Sequence, residues 1–332
     1  MTGKPLCKTL GGTFRKTLVL ATFCAAASSQ AQEVVRLGNL KFAHFGAVSY
    51  IKEIAPSCGI KVEEKIFAKG LDVMQAIIAG ELDVGTTASE AAIAGRASGA
   101  PIFVVAGFAK GGARLVARPH LGVKGMRDLK GKKVGVTRGG IQEVLLMAEL
   151  QKHGMSVDSA PGKDVQVIYL PFADLNQALM GGNIDAMMQS EPQSSQAINK
   201  GFGKEVLKPY DTPIGEPVRT MVMTEAFYGR KRALAEKFMR CFVQATRTFI
   251  SDPALAEKYV RETIFKGQIT RDDFEDAISN SPYSLDVTAE HIQITTDTMV
   301  KTGVGRLARP PLARDWVRTD MLDAAKKSVA MK

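Results

Sequence analysis

Apolar residues along the chain follow two spacings in alternating order. Short β-rich runs, such as residues 62–67 and 165–170, are followed by segments in which apolar positions recur every three to four residues. The first arrangement is typical of strands and the second of amphipathic helices. Because strand, helix and strand follow one another repeatedly, the pattern predicts parallel βαβ units and an α/β fold built from doubly wound sheets.

One such unit occurs twice in the sequence. Residues 75–84 (QAIIAGELDV) are matched by residues 177–186 (QALMGGNIDA). Each copy has a glycine that is predicted to end a helix in a left-handed conformation, followed by an aspartate predicted to accept hydrogen bonds in a turn. These scaffold residues are Gly80, Asp83, Gly182 and Asp185. The repeat predicts two lobes of the same kind.

The remaining elements are divided between these lobes. Prolines interrupt the chain between residues 209 and 217, and residues 218–223 are predicted to form a strand that returns to the first lobe. Another crossover is expected near residue 119, after a strand at 114–118. From residue 231 onward the pattern is mainly helical, and these helices are assigned to the first lobe. The predicted division is lobe 1 at residues 32–118 and 218–332, and lobe 2 at residues 119–217.

The first 31 residues have the features of a secretory signal peptide. A region with four Lys and Arg residues precedes an apolar stretch at 17–27 and a small-x-small cleavage signal at 29–31. The apolar stretch is shorter than the ~20 residues that span a bilayer, so export to the periplasm is expected rather than a membrane anchor. An oxidising compartment permits a disulfide between Cys58 and Cys241, although their spacing does not demand one.

The number and distribution of charged residues indicate which class of partner the protein binds. Removal of residues 1–31 takes away four Lys/Arg and no acidic residue, so the formal net charge falls from +10 to +6, which is 40 basic minus 34 acidic residues. The basic residues are scattered, and no Lys/Arg block is interleaved with aromatic residues. A nucleic-acid partner is therefore not expected.

The sequence lacks the common signatures of catalysis. It contains no Gly-x-Ser-x-Gly elbow, no His-Glu-x-x-His, no Cys-x-x-Cys and no Gly-Lys-Ser/Thr phosphate loop. The four histidines lie far apart and do not have the spacing of metal ligands. We therefore expect a binding protein without a metal or cofactor, not an enzyme.

The predicted fold places candidate ligand-binding residues in one cleft. Ligands of open parallel sheets bind beyond the carboxyl ends of the strands, so two facing lobes bring together residues 42–50, 85–90, 137–142 and 188–192. Three of these segments precede or begin helices, whose free N–H groups suit an anionic group. The candidates are His44, Phe45, Thr86, Thr87, Ser89, Arg138, Gly139, Gly140, Gln189, Ser190 and Glu191, with Arg219 on the returning strand.

Among these candidates Arg138 is the first choice and Arg219 the second. A guanidinium at the cleft can bind a carboxylate or sulfonate through two hydrogen bonds, although an arginine at this position can equally face solvent. His44 and Phe45 either stack on or cap a ligand or pack against their own lobe, and the hydroxyl groups either donate to a ligand or cap helices. Glu191 is expected to accept from an amine or to hold Arg138 in place.

The whole chain after residue 31 resembles a known family. At residues 79–85 (AGELDVG), 128–136 (DLKGKKVGV), 182–186 (GNIDA) and 191–192 (EP) it is similar to the periplasmic solute-binding proteins of ATP-driven importers for sulfonates, taurine and nitrate. The resemblance implies the type II periplasmic binding fold, in which two lobes joined by two crossovers close on a small solute and present it to a membrane permease. The family usually has a small or hydroxyl residue where this chain has Arg138.

The sequence and this resemblance together suggest a function. We expect a monomeric, periplasmic substrate-binding protein of an ABC importer that binds a small organic anion, either a sulfonate or a carboxylate, aromatic ones included. A second hypothesis keeps the fold but has it bind a cationic or pyrimidine-like solute with Glu191 as its partner. A periplasmic ligand-sensing module and a periplasmic enzyme on the same scaffold are two further hypotheses. The cysteine cluster of the related thiamine-pyrimidine synthases is absent, which disfavours the enzyme.

Overall fold

The computed structural model describes residues 33–330, so the predicted signal peptide lies outside the described residues. The described chain is α/β, with two separate sheets that are both flanked by helices. This is the class of doubly wound, two-lobed fold that the sequence pattern predicts. Within residues 33–330, none of the helices combines the length and apolarity that a membrane crossing requires.

The elements are named in chain order. The strands are β1 (Val34–Leu40), β2 (Lys61–Phe67), β3 (Val84–Ala88), β4 (Ile102–Lys110), β5 (Ala113–Ala117), β6 (Lys132–Val136), β7 (Val157–Asp158), β8 (Val165–Tyr169), β9 (Ala186–Ser190), β10 (Lys204–Leu207) and β11 (Val218–Thr224). The helices are α1 (Gly46–Ile54), α2 (Gly70–Ile78), α3 (Ser89–Ala97), α4 (Ile141–Lys152), α5 (Phe172–Met180), α6 (Gln193–Asn199), α7 (Glu225–Arg230), α8 (Arg232–Ser251), α9 (Pro253–Lys258), α10 (Arg271–Asn280), α11 (Ala289–Thr302) and α12 (Asp320–Ala330).

The first sheet has the strand order β2-β1-β3-β11-β4. Strand β1 pairs in parallel with β2 and β3, whereas β11 runs antiparallel to both β3 and β4. All residues of β11 except the last are buried, as expected of a central strand that is covered on both faces. The strand that begins at residue 218 is therefore a central strand of the first sheet.

The second sheet has the strand order β10-β5-β9-β6-β8-β7. Strands β9, β6, β8 and β7 are parallel, and β5 is antiparallel to β9 and β10. The strand predicted at 114–118 is expected in lobe 1, but as β5 it joins the second sheet. The chain therefore changes sheets at Gly111 and Gly112 instead of near residue 119. Every residue of β5 is buried, because β5 lies between β10 and β9 inside the second sheet.

The two copies of the repeat adopt the same local structure. Helix α2 leads into β3 of the first sheet, and α5 leads into β9 of the second. Gly80 and Gly182 follow these helices, both with a φ of 75°, as predicted. A backbone N–H of β1 donates to Asp83 at 3.1 Å, and a backbone N–H of β6 donates to Asp185 at 2.8 Å. Both aspartates therefore join adjacent strands within their own sheet.

Strand β3 extends further than the sequence pattern predicts. The small residues from position 86 onward are expected to be helical, but the strand continues to Ala88 and α3 begins at Ser89. Because β3 lies between β1 and β11 and all its residues are buried, strand pairing outweighs the local preference. Successive residues of a strand point to opposite faces, so Thr86 and Thr87 face opposite sides.

The long helix α8 packs against α1 and α12, which lie on the first sheet. A disulfide between Cys58 and Cys241 joins α8 to the segment after α1, with the two Cα atoms 5.9 Å apart. The sequence leaves this bridge open, and the structure contains it. The C-terminal helices also reach lobe 2, because Asn199 of α6 donates to Asp273 of α10 at 2.9 Å.

The crossover between the sheets depends on two adjacent glycines. Gly111 and Gly112 have φ angles of 67° and 76°, in the left-handed region that favours glycine. The Nη2 atom of Arg219 donates to the carbonyl oxygens of both glycines, at 2.7 and 3.1 Å. A Cβ atom at Gly111 would clash with the carbonyl oxygen of Asn280. The backbone is therefore held closely on both sides at this point.

Substitution of Gly111 by alanine should destabilise the protein more than the same change at Gly122. Both glycines have positive φ, which costs about 1–2 kcal/mol for alanine, but a Cβ at Gly122 meets open space. We expect Gly111→Ala to cost about 1–3 kcal/mol more than Gly122→Ala, because it adds the clash with Asn280. Urea unfolding of both variants measures this difference, and equal losses would contradict the packing at the crossover.

Candidate functional site

A cavity of about 30 Å³ lies between the two sheets, at the carboxyl ends of β1, β3, β6 and β9. All four segments that the sequence predicts for the cleft contribute to its lining. The first lobe and β11 supply Phe42, His44, Phe45, Gly70, Thr87, Glu90 and Arg219, and the second supplies Thr137, Arg138, Gly139, Gly140, Gln142, Phe172 and Ser190. The cavity therefore has walls from both lobes.

Arg219 is the buried cation of the cavity. Burial lowers the pKa of its guanidinium from the ordinary value, but an arginine remains charged in proteins. Its Nη2 atom donates to the crossover carbonyls, whereas its Nε atom has no hydrogen-bond partner among residues 33–330. A buried charge with an unused donor is costly to maintain, so this atom is available to a ligand.

Glu90 is a buried acid in the first turn of α3. Burial raises the pKa of its carboxyl to about 7, and the charge of Arg219 is the largest effect that opposes this rise. Backbone N–H groups also oppose it, including that of Ile141 at the start of α4 in the other lobe. Its Oε2 atom is buried and is not hydrogen-bonded to any part of the chain that the structure describes.

His44 is buried beside the cavity in the neutral form. Burial and the nearby charge of Arg219 hold its pKa well below the usual value. Neither ring nitrogen has a partner within the described chain, so the imidazole can offer one donor and one acceptor. Phe42 stacks on this ring at 5.8 Å and contacts Phe172 of the other lobe edge to face at 5.4 Å. Aromatic rings thus meet across the cleft.

The hydroxyl groups predicted for the site separate into two groups. Thr87 and Ser190 line the cavity, whereas Thr86 and Ser89 do not. Thr86 points to the opposite face of β3 and donates to Asn39. The Thr87 hydroxyl is buried, and no hydrogen bond to it exists within the described part of the chain. Ser190 donates to the Gly112 carbonyl at 3.3 Å.

Arg138, the first choice from the sequence, lies at the rim. It is exposed, and its guanidinium carbon lies 3.7 Å from the centre of the Tyr169 ring. The residue also borders a wider groove of about 750 Å³ outside the cavity, together with Lys69 and Arg306. Of the two arginines that the sequence suggests, Arg219 is therefore the buried one and Arg138 the exposed one.

Gln189 and Glu191 are buried away from the cavity. Gln189 donates to the Phe172 carbonyl at 3.1 Å. Glu191 pairs with Arg114 at 2.8 Å, not with Arg138, and accepts from the Asn280 amide at 2.7 Å. Burial raises the pKa of Glu191, and the charge of Arg114 opposes the rise. The carboxylate is thus already bound by protein groups.

Arg114 extends this ion pair into a network. Besides Glu191, its guanidinium contacts Asp276 of α10 at 2.8 Å and Glu205 of β10 at 3.1 Å. The side chains of Arg114 and Glu191 are only 3% and 0% exposed. The network joins the second sheet to a C-terminal helix, so its role is structural.

Sequence reasoning missed several lining residues. The predicted segments contain three lining residues that are not among the candidates, namely Phe42, Glu90 and Gln142. The sequence could have indicated Glu90, because it is an acidic residue in the first helical turn after a strand that ends at the cleft. Gly70 and Phe172 each lie five residues before the first residue of their repeat copy and both line the cavity. Gly70 and Phe172 therefore occupy equivalent positions in the two lobes.

Within residues 33–330, the His, Cys, Asp and Glu side chains form no group of three or more that could hold a metal ion. The side chains that line the cavity instead supply two guanidinium groups, one ammonium, one carboxyl, one imidazole, one amide and several hydroxyl groups. Such a set can bind a small polar organic molecule. The backbone N–H groups at the start of α4 add further donors.

Comparison with known proteins gives consistent matches. The profile of the family described as NMT1/THI5 like matches residues 57–256. The chain is 30% identical over 253 residues to the "Putative aliphatic sulfonates-binding protein" of Escherichia coli, covering 74% of this chain and 73% of that protein. It is 21% identical over 258 residues to the "Putative ABC transporter periplasmic binding protein" of Brachyspira hyodysenteriae, covering 72% of each.

Solved structures show the same fold. The periplasmic nitrate-binding protein NrtA from Synechocystis PCC 6803 superposes with a TM-score of 0.74 at 15% sequence identity, covering 91% of this chain and 90% of that one. The two-lobed α/β architecture is therefore shared with periplasmic binding proteins.

Replacement of Arg114 by methionine should strongly destabilise the protein, because it leaves the carboxylate of Glu191 buried without a counter-charge. Loss of one partner of a buried ion pair typically costs about 3–5 kcal/mol. The matched control is Lys61→Met, since Lys61 and Glu63 form an exposed pair in which each side chain is 55% exposed. We expect the control to leave the free energy of urea unfolding nearly unchanged; similar values for both variants would argue against the buried network.

Proposed function

The chain belongs to the NMT1/THI5-like family and is homologous to periplasmic binding proteins of ABC transporters, which are not enzymes. We propose that it captures a small organic anion in the cleft for delivery to a membrane permease. The ligand class we propose is sulfonates and carboxylates. The relative from Escherichia coli is described as binding aliphatic sulfonates. The residues of the cavity support the extension to this chain.

The observation that carries this proposal is the buried guanidinium of Arg219. A buried donor without an acceptor is unfavourable, and the Nε donor of Arg219, a residue that borders the cavity, is unused. An anionic ligand would supply a charged acceptor for it. Hydrogen bonds between charged groups are about twice as strong as neutral ones.

Neutral donors around Arg219 also suit an anion. The hydroxyl of Thr87 is unpaired in the described chain, and Ser190 and the neutral imidazole of His44 border the same cavity. The rings of Phe42 and Phe172 supply an apolar surface for the remainder of the ligand. These contacts fit an oxyanion that is attached to an alkyl or aromatic group.

The cleft geometry suggests how binding and closure are coupled. Arg219 and Thr87 belong to the first sheet, whereas Gly140 and Ser190 belong to the second lobe, and all four border one cavity. A ligand in the cavity gains all of these contacts only when the lobes lie together. It therefore favours the closed state by its differential affinity, and a permease can recognise that state.

The relatives support a periplasmic setting, because they are periplasmic binding proteins of ABC transporters. We propose that this chain acts in the periplasm after removal of residues 1–31, as a monomer. The hypothesis that Glu191 binds a cationic or pyrimidine-like solute loses support, because that carboxylate is paired with Arg114. No described contact favours a sensing module over a transport component, so transport, which the relatives share, is preferred.

Arg219→Gln should weaken anion binding much more than Arg138→Gln. Removal of a buried charge partner costs about 2–5 kcal/mol, or roughly 30- to 4,000-fold in Kd, whereas the exposed Arg138 should matter less than about tenfold. Calorimetric titration of the protein without residues 1–31 with benzenesulfonate, propanesulfonate, benzoate and nitrate measures both effects. Failure of the unmodified protein to bind any of these anions would refute the proposal.

Because Arg219 also supports the crossover, folding of its variant requires a control. Arg219→Lys retains the charge but not the planar donors, and circular dichroism establishes that each variant is folded. We expect Arg219→Lys to bind anions with an affinity between those of the unmodified protein and Arg219→Gln. An equal loss in both would show that geometry, and not charge, sets the affinity.

Thr87→Val should have opposite effects on stability and binding. Valine has nearly the same shape and removes a buried hydroxyl that lacks a partner, so the ligand-free protein should gain about 1 kcal/mol of stability. The same change removes a donor to the ligand and should weaken binding about tenfold. Urea unfolding and calorimetry on one sample test both effects. A loss of stability with unchanged affinity would assign Thr87 a purely structural role.

A further inference from the structure

Two oppositely charged side chains border the cavity without pairing with each other. Arg219 comes from β11 and Glu90 from the first turn of α3, and both are buried. The charge of Arg219 affects the pKa of Glu90, yet the described chain holds no ion pair between them at 4.0 Å or less. Each keeps an unused atom, Nε of Arg219 and Oε2 of Glu90. The described chain therefore leaves one polar atom of each group without a partner.

We propose that Glu90 is a specificity-determining residue, which selects anions that also carry a hydrogen-bond donor such as an ammonium, amide or hydroxyl group. This inference rests on the proposed function, because it assumes that Arg219 binds the anionic end. An anion without a donor brings a second negative charge to a small cavity that already contains a carboxylate. A ligand with both groups satisfies Arg219 and Glu90 together.

Glu90 lies where elements of both lobes meet. It belongs to α3 of the first lobe, and the backbone N–H of Ile141, the first residue of α4 in the second lobe, opposes the rise in the pKa of its carboxyl. Helix α3 also packs against α4. The Glu90 side chain therefore lies at the interface of the lobes, at the border of the cavity.

The other charged groups around the cavity do not replace Glu90 as an acceptor. Arg138 and Lys69 at the lining are cations, and His44 is neutral because its pKa is held far below the usual value. Glu143 borders only the outer groove, where its carboxylate accepts from the Gly139 N–H at 2.5 Å. Within the described lining, Glu90 is thus the acidic side chain that a donor on the ligand would meet.

The predicted ligand is therefore bifunctional. Its sulfonate or carboxylate would meet Arg219, its donor would meet Glu90, and its middle would lie near the rings of Phe42 and Phe172. Small zwitterions with an alkyl or aromatic centre fit this description. Simple inorganic anions such as nitrate do not, since they have no donor.

Matched pairs of sulfonates test the inference. Calorimetry on the protein without residues 1–31 compares propanesulfonate with 3-aminopropanesulfonate, and benzenesulfonate with aminobenzenesulfonate. We expect the amino compound of at least one pair to bind ten or more times tighter. In Glu90→Gln the preference should fall to about one, because the amide no longer attracts the ammonium and no longer repels the plain sulfonate. Glu143→Gln is the control and should retain the original preference.

The pH dependence of the binding preference shows whether the Glu90 carboxyl accepts a hydrogen bond from the ligand or donates one to it. With a pKa of about 7, Glu90 is ionised above and protonated below this value. If it accepts from the ligand, the preference for 3-aminopropanesulfonate should rise between pH 6 and pH 8, and Glu90→Gln should abolish the rise. A preference that increases as the pH falls would overturn the inference, since it would make Glu90 a donor to the anion.

The possible outcomes distinguish this inference from the proposed function. Binding of sulfonates with no preference for the amino compounds, or with a preference that Glu90→Gln leaves intact, overturns the role of Glu90 and leaves the proposed function standing. Absence of sulfonate binding in the unmodified protein overturns the proposed function and this inference with it. If Glu90→Gln fails to fold, Glu90→Asp shortens the side chain while keeping the charge and should reduce the preference.

Discussion

The carbonyl oxygen of Gly112 is the point at which the two lobes are joined and the ligand site is anchored. It accepts hydrogen bonds from Arg219 of the first sheet at 3.1 Å, from Gln142 of α4 at 3.4 Å and from Ser190 of β9 at 3.3 Å. All three donors also line the cavity. A change in the relative position of the lobes would therefore alter these bonds and the cavity together.

The internal repeat explains both the symmetry of the scaffold and the place where it breaks down. Asp83 and Asp185 make the same bond to a neighbouring strand in their respective sheets. The positions that follow are different, because Ser89 is matched by Glu191, and Glu191 pairs with Arg114. Divergence at this position therefore serves to attach the second sheet to α10. The acid that faces the cavity is the residue after Ser89, on the opposite side of the cleft.

Sequence patterns predicted the architecture better than the chemistry of the site. Periodicity and the repeat identified the two-lobed α/β fold and the four chain segments at the cleft, since these depend on strand order and on where strands end. Whether Arg138 or Arg219 is the buried arginine depends instead on tertiary packing. The local sequence pattern does not encode that packing. Likewise, β3 continues through Thr86 because β3 pairs with β1 and β11. Of the neighbouring pair Thr86 and Thr87, it is therefore Thr87 that borders the cavity.

The balance of charge within the cavity limits what the closed protein can tolerate. Arg219 and Glu90 offset each other at a distance, and His44 stays neutral, so closure does not bury a large net charge. Burial of a net charge would cost several kcal/mol and would hold the lobes apart until a counter-ion entered. With this cost removed, the net charge of a solute would not alone decide whether it favours closure under the proposed function. The arrangement of its donors and acceptors would decide it, because Arg219 and Glu90 each keep an unpaired polar atom.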